Sequence, residues 1–297
     1  MTPGRDGTVL WRELLAETER RLEGAGVVHA AVDARRIVEQ ASGRRGADLA
    51  IALDEPARQR AVAHLDAMVE RRLAGEPLQY VLGEWSFRTL DLLVDARVLI
   101  PRPETEVVTG LALAELDRVR APEPARLARV ADLGTGSGAI ALSVAAERER
   151  VEVWATDIAA DALMVASANL AGLGMRGRAV HLAEGPWFAA LPDELRGALD
   201  VVVSNPPYVA ATDELPAEVA EWEPARALVS GPTGREALDH LVVTAVEWLA
   251  CPGALVVELA PDQAEGVEAL ARVQGYAEVS VEPDLTGRPR ALVARLG

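Results

Sequence analysis

The sequence predicts an α/β protein: a parallel sheet covered by helices on both faces, preceded by a small helical bundle and a linking β-hairpin. Three observations carry this. From residue 129 onward, short apolar and β-branched runs alternate with helical stretches, the pattern of parallel strands joined by crossover helices. A glycine-rich turn, Asp132-Leu133-Gly134-Thr135-Gly136-Ser137-Gly138, separates the first of those runs from its helix, where a backbone must turn tightly and approach a ligand closely. Residues 8–73 instead repeat apolar positions at helical spacing, Leu10, Leu14, Leu15, Leu22 and then Val32, Ile37, Val38.

In chain order, Gly24-Ala25-Gly26 and Gly43-Arg44-Arg45-Gly46 break the helices of the bundle, and a further helix over 58–73 ends at Gly75-Glu76-Pro77. Residues 1–76 thus form one helical domain, either a stabilising cap or a substrate-recognition module. Residues 77–103 change character: 78–87, 90–94 and 98–100 read as short strands of a hairpin linker. In Pro101-Arg102-Pro103-Glu104-Thr105-Glu106, Pro103 or Thr105 opens the next helix, and Glu104 and Glu106 suit its positive end. Capping explains that motif fully; the functional alternative is a lid over a cofactor. The α/β domain runs over 104–297, with Pro122-Glu123-Pro124 as a local linker. Strands are predicted at 130–133, 151–156, 179–182, 200–204, 254–259, 277–281 and 291–295, and helices at 139–146, 161–171, 236–249 and 261–273.

The chain of 297 residues is half hydrophobic, enough for two cores. No apolar run reaches the length of a membrane span, and Met1-Thr2-Pro3-Gly4-Arg5-Asp6 begins no signal core, which points to the cytoplasm. The single Cys251 excludes an internal disulfide. Net charge is −16, every basic side chain is arginine, and residues 1–84 carry 12 arginines against 14 carboxylates, so the acidity lies in the α/β domain. A protein gripping phosphates would show the opposite sign; a protein or small-molecule substrate is expected, with no direct nucleic-acid or membrane partner.

Asp157 closes the second strand, 23 residues after Gly134. An acid there can hydrogen-bond ribose hydroxyls, so loop and acid together point to an adenosine-bearing ligand. The spacing Gly134-x-Gly136-x-Gly138 departs from the dinucleotide pattern, and no Gly-Lys-Ser/Thr follows for a triphosphate. Asp132 would repel a pyrophosphate but could orient a methionine ammonium, which favours S-adenosylmethionine. In Ala183-Glu184-Gly185-Pro186-Trp187-Phe188, Trp187 either borders the adenine or packs in the core.

The run Val201-Val202-Val203-Ser204 ends in Asn205-Pro206-Pro207-Tyr208. Neither proline can continue a strand ladder, so the chain leaves the sheet on a stiff path. Asn205 and the Pro206 carbonyl can accept the two hydrogens of a flat N–H₂ group, and Tyr208 can pack on its plane. An edge strand followed by a polyproline turn explains the same residues without chemistry.

These motifs, together with Gly75-Glu76-Pro77-Leu78-Gln79-Tyr80, the Pro101–Glu106 stretch and Asp284-Leu285-Thr286-Gly287-Arg288-Pro289-Arg290, make the chain resemble the bacterial release-factor glutamine methyltransferases, the HemK/PrmC group. The resemblance covers nearly the whole chain. It implies a Rossmann-like S-adenosylmethionine-dependent methyltransferase sheet acting on the glutamine of a Gly-Gly-Gln tip in peptide chain release factors. The loop Gly134, Thr135, Gly136, Ser137 and Gly138 would hold the methionine end, Asp157 the ribose and Trp187 the adenine side. Asn205, Pro206, Pro207 and Tyr208 would bind the target amide, and Glu221-Trp222-Glu223-Pro224 would support the substrate loop, 209–234. Arg235 stands where the family pattern has leucine. Rivals are an adenine-N6 or ribosomal-protein glutamine methyltransferase and a non-catalytic adenosine-binding module.

An amide nitrogen is a poor nucleophile, so alignment and exclusion of water are expected to supply the acceleration. His29, His64, His181 and His240 lie outside the motifs, no metal site is expected, and the shell around Asn205 should hold no group titrating between about pH 6 and 9. A monomer is expected.

Overall fold

The computed structural model describes residues 9–297. Met1–Asp6, read above for a signal core, and the first residue of the expected helical region lie outside the described residues. The chain separates into two compact units, one ending at Glu84 and the other starting at Trp85.

The first unit is all-helical: α1 (Trp11–Gly24), α2 (Ala30–Ser42), α3 (Ala47–Ala52), α4 (Gln59–Leu73) and α5 (Leu78–Leu82). The apolar stripes close on one core that includes Leu14, Leu22, Ile37, Val38, Leu65 and Val69. α5 corrects the strand expected over 78–87. Leu78, Val81 and Leu82 have i, i+3, i+4 spacing and enter the same core. Gly83 ends the helix at φ 75°, and Arg71 donates to the carbonyls of Tyr80 at 2.8 Å and Val81 at 3.1 Å.

The division falls just inside β1 (Glu84–Phe87), which forms a two-stranded hairpin with β2 (Leu90–Leu93); Phe87 and Leu92 are buried in the α/β core. Residues 98–100 are not a strand: Val98 and Ile100 are buried, but the Ile100 amide donates to the Glu223 carboxylate at 3.1 Å instead of to a ladder. α6 (Pro103–Arg120) follows, with proline in its first turn, Glu104 and Glu106 at its positive end and Arg118 and Arg120 at its negative end.

Then come β3 (Ala128–Leu133), α7 (Ala139–Glu147), β4 (Val151–Asp157), α8 (Ala160–Gly172), β5 (Val180–Glu184), β6 (Leu199–Ser204), α9 (Ala217–Trp222), α10 (Glu236–Trp248), β7 (Leu249–Glu258), α11 (Ala264–Val273), β8 (Glu278–Pro283) and β9 (Pro289–Leu296). The seven-stranded sheet has the order β5-β4-β3-β6-β7-β9-β8. Apolar side chains of α6 and α7 share one core with one face of the sheet, and those of α10 and α11 share another with the opposite face. The sheet is mostly, not wholly, parallel. β9 runs antiparallel to both β7 and β8, because the short connection from β8 to β9 can make only a hairpin. Residues 261–263 form a 3₁₀ turn ahead of α11, so the helix expected from 261 starts at Ala264.

β3 lies between β4 and β6. The strand order therefore reverses between β3 and β6, and the crevice beyond their carboxyl ends is where open α/β sheets bind ligands. Among the described residues no helix is long and apolar enough to cross a membrane.

Candidate active site

One pocket occupies that crevice. It is lined by Gly134, Thr135, Gly136 and Ser137 after β3, Asp157 and Ile158 after β4, Gly185, Pro186 and Trp187 after β5, and Asn205 and Pro207 after β6. Arg97, Val98, Pro101 and Thr105 border it on one side and Pro224, Arg226 and Ala227 on another.

Gly134 has φ 75°, and a Cβ there would lie 3.2 Å from Cζ3 of Trp187. The indole packs directly on the turn, on a residue held at φ 49°. Gly138 differs: it caps α7 at φ 86°, and a Cβ on it would meet Leu142 at 3.0 Å, so it serves helix packing and does not line the pocket. Asp157 accepts the Gly136 amide at 2.9 Å and the Ala159 amide at 2.9 Å. Burial pushes its pKa upward, opposed by those two donors. Each oxygen keeps lone-pair capacity for a ligand hydroxyl.

Asp132 is not a pocket wall. It is fully buried beneath the turn, accepting the Thr135 hydroxyl at 2.6 Å and the Ala141 amide at 3.0 Å. Its Oδ1 has no protein partner among the described residues, and burial raises its pKa to about 7. A cationic head-group seated above the loop would favour its ionised form. The glycine cradle, the strand-end acid and this buried carboxyl group together fit an adenosine ligand ending in an ammonium.

Asn205 leaves β6 at the pocket edge. Its Nδ2 donates to Oγ1 of Thr105 at 3.0 Å, and the Thr105 hydroxyl donates to Oε2 of Glu258 at 2.7 Å. A threonine hydroxyl has one hydrogen. Once that hydrogen points at a carboxylate, Oγ1 can only accept, so the asparagine must turn its N–H₂ toward it. Oδ1 is thereby left as an acceptor. Pro206 is buried, whereas Tyr208 is half-buried on the second core with its hydroxyl 3.4 Å from Oε1 of Glu258. Burial and the nearby Glu258 push the phenol up to about 12.

Glu258 was not singled out from the sequence. It closes β7 with 1% exposure, and burial lifts its pKa to about 7 against the Thr105 hydrogen bond, which favours the charge. The expectation that nothing near Asn205 titrates between pH 6 and 9 is corrected by this group. Its signal was present: an acid ending the apolar run Ala254-Leu255-Val256-Val257, as Asp157 ends another. Gln263 was also missed. Its Nε2 donates to the carbonyls of Tyr208 at 2.9 Å and Gly234 at 3.2 Å, clasping the two ends of the segment between them.

That segment is tied again by the Val209–Val229 bridge. At Gly234, φ is 77° and a Cβ would lie 2.7 Å from the Tyr208 carbonyl oxygen. Glu223, in the Glu221–Pro224 stretch, is paired with Arg102 as well as the Ile100 amide, fastening the segment to the approach to α6. Arg235 pairs with Asp239 at 2.8 Å and lies across Gly266, whose missing side chain leaves it room. The Asp284–Arg290 stretch forms the β8–β9 turn: Asp284 accepts from Thr286 and Arg288, which hold its pKa down to about 2. The histidines stand apart from the pocket, His181 stacking on Trp154 at 4.6 Å and His240 edge-on to Phe188.

A doubly wound sheet with a glycine cradle, a strand-end acid and an oriented asparagine at its switch point defines a methyltransferase. Residues 13–83 match the family model of the PrmC N-terminal domain, and residues 114–222 that of the methyltransferase small domain. The chain is 40% identical over 287 residues to the release factor glutamine methyltransferase of Moorella thermoacetica, covering 95% of this chain and 97% of that one. It is 39% identical over 285 residues to that of Deinococcus radiodurans, covering 96% and 98%. The chain belongs to the release factor glutamine methyltransferase family. Among solved structures, the N-terminal domain of human METTL16 in complex with SAH shares the fold, with a TM-score of 0.53 and 17% identity over 76% of this chain and 83% of that one.

Proposed function

We propose that the protein transfers a methyl group from S-adenosylmethionine to the side-chain amide nitrogen of the glutamine in the Gly-Gly-Gln motif of peptide chain release factors. The observation that carries the reading is Asn205, held at the pocket edge with Nδ2 committed to Thr105 and Oδ1 left to accept. The cofactor supplies an electrophilic methyl on a sulfonium. Gly134, Thr135, Gly136 and Ser137 seat its methionine end, Asp157 its ribose and Trp187 its adenine side. Asn205 Oδ1 and the Pro206 carbonyl accept the two hydrogens of the target amide, while Pro207 and Tyr208 shape its slot. The nitrogen lone pair is delocalised into its carbonyl, so the residues act by aiming that nitrogen and excluding water. The nitrogen keeps one hydrogen and gains the methyl; the other hydrogen leaves as a proton after transfer.

The helical unit, with the PrmC N-terminal match, is assigned capture of the protein substrate. The enzyme acts in the cytoplasm as a monomer, without nucleic-acid or membrane partners; the net charge of −16 speaks against a nucleic-acid partner. Methyl transfer from tritiated cofactor to purified release factor, DNA and ribosomes tests the reading. Label should enter release factor alone and vanish when the glutamine of Gly-Gly-Gln is replaced. Label in DNA or ribosomes, or none in release factor, overturns it.

A further inference from the structure

Glu258 lines no part of the pocket, yet it ends a polar chain that reaches Asn205 through Thr105. We propose that Glu258 is a positioning residue: through the Thr105 hydroxyl it sets which face of the Asn205 amide meets the target, and its protonation reverses that choice. This rests on the proposed glutamine methylation and names a control built into the same site.

The argument is one of hydrogen count. With Glu258 ionised, Thr105 donates to it at 2.7 Å and accepts from Asn205 Nδ2 at 3.0 Å, which presents Oδ1 to the target. A protonated Glu258 can donate to Thr105 Oγ1 instead. The threonine hydrogen is then free, and it is satisfied by Asn205 only if the amide turns over and offers Oδ1. Nδ2 then faces the target N–H₂, donor against donor, and alignment is lost. Both amide orientations occupy the same volume, so the switch needs no backbone movement.

The surroundings of Glu258 suit a group that changes charge. Thr105 and Glu104 face it from α6, Tyr208 from the turn after β6 and Arg290 from β9. Glu104 opposes its charge and Arg290 favours it. Arg290 lies 3.7 Å from Asp284, so its charge is shared with a second carboxylate. Burial of Glu258 puts its titration near neutrality, within reach of ordinary pH.

Two measurements on the full chain test this. In ¹⁵N-labelled protein saturated with cofactor, the side-chain N–H₂ resonances of Asn205, assigned by their loss in Asn205→Ala, should shift with a single midpoint between about pH 6 and 8. The shift should vanish in Glu258→Gln and Thr105→Val and persist in Thr105→Ser, which keeps the hydroxyl. In single-turnover transfer to release factor, the wild-type rate should fall about tenfold per unit below that midpoint. Glu258→Gln should be slower at pH 8, by roughly tenfold, and flat with pH, with cofactor affinity unchanged. An Asn205 signal that does not titrate in wild type, or that still titrates in Glu258→Gln, overturns the proposal whatever the methylation assay gives. A titrating signal in a protein that does not methylate release factor overturns the substrate assignment and leaves the relay standing.

Discussion

Trp187 lies on Gly134: a Cβ placed on that glycine would stand 3.2 Å from Cζ3 of the indole. The glycine also has φ 75°, a conformation costly to any residue with a side chain. Gly134→Ala should therefore displace the indole and strain the turn together. Cofactor affinity is expected to fall at least tenfold by calorimetry, with the thermal transition lowered by a few degrees. Wild-type affinity would mean that the turn does not touch the ligand.

Asp157→Ala removes the acceptor for the Gly136 and Ala159 amides as well as the proposed ribose contact. A buried hydrogen-bonding group lost in this way weakens binding by roughly 1–3 kcal/mol. Calorimetry with S-adenosylmethionine or its demethylated product reads this directly; unchanged affinity would remove Asp157 from the site.

Asn205→Ala should bind cofactor normally and lower the single-turnover rate by about 10²-fold, the scale of lost alignment. The alanine removes the acceptor and leaves one target hydrogen unpaired. A loss confined to KM would instead assign Asn205 to substrate capture alone.

The buried acid gives a stability prediction of definite sign. Glu258 has a folded pKa raised to about 7 from an ordinary 4.5. Such a group contributes most below pH 4.5, and its contribution is lost as pH rises through 7. Glu258→Gln cannot titrate, so its stability relative to wild type should climb between pH 5 and 8.5, by roughly 2–3 kcal/mol. Asp132 titrates in both proteins and cancels. Urea midpoints at the two pH values measure this, and a constant difference would show that Glu258 is already ionised at pH 5.

A chain starting at Glu84 keeps the hairpin that packs in the α/β core and drops α5, which packs with the bundle. It should bind cofactor and methylate release factor with much reduced kcat/KM. Undiminished kcat/KM would deny the helical unit a part in capture.

What the sequence disclosed and what it withheld divide along physical lines. Gly134 to Ser137, Asp157 and Asn205 meet at one pocket, a grouping legible in the sequence because turns, strand ends and prolines leave local signatures; Gly138 shares the turn but packs on α7. α5 was misread because leucine, tyrosine and valine suit a strand, although Leu78, Val81 and Leu82 already carried helical spacing. The antiparallel β9 depends on which edge a hairpin chooses, a nonlocal matter. Glu258 escaped because, although an acid ending an apolar run marks a candidate, its partner Thr105 stands 153 positions away and no local pattern names that contact. The Pro101–Glu106 stretch was read as cap or lid; Thr105 within it has a different task, linking Glu258 to Asn205.

The clasp at Gln263 has a consequence for how such an enzyme can diversify. The carbonyls of Tyr208 and Gly234 are both held by the Gln263 side chain, and the two backbones pass close to each other, so the span between them is anchored at both ends. Closing a longer loop between fixed ends costs little extra entropy. Insertions, deletions or wholesale exchange within residues 211–222 can then be sampled by drift or by grafting while the chemical centre keeps its shape. The scaffold separates the part that must stay constant from the part free to follow a changing partner.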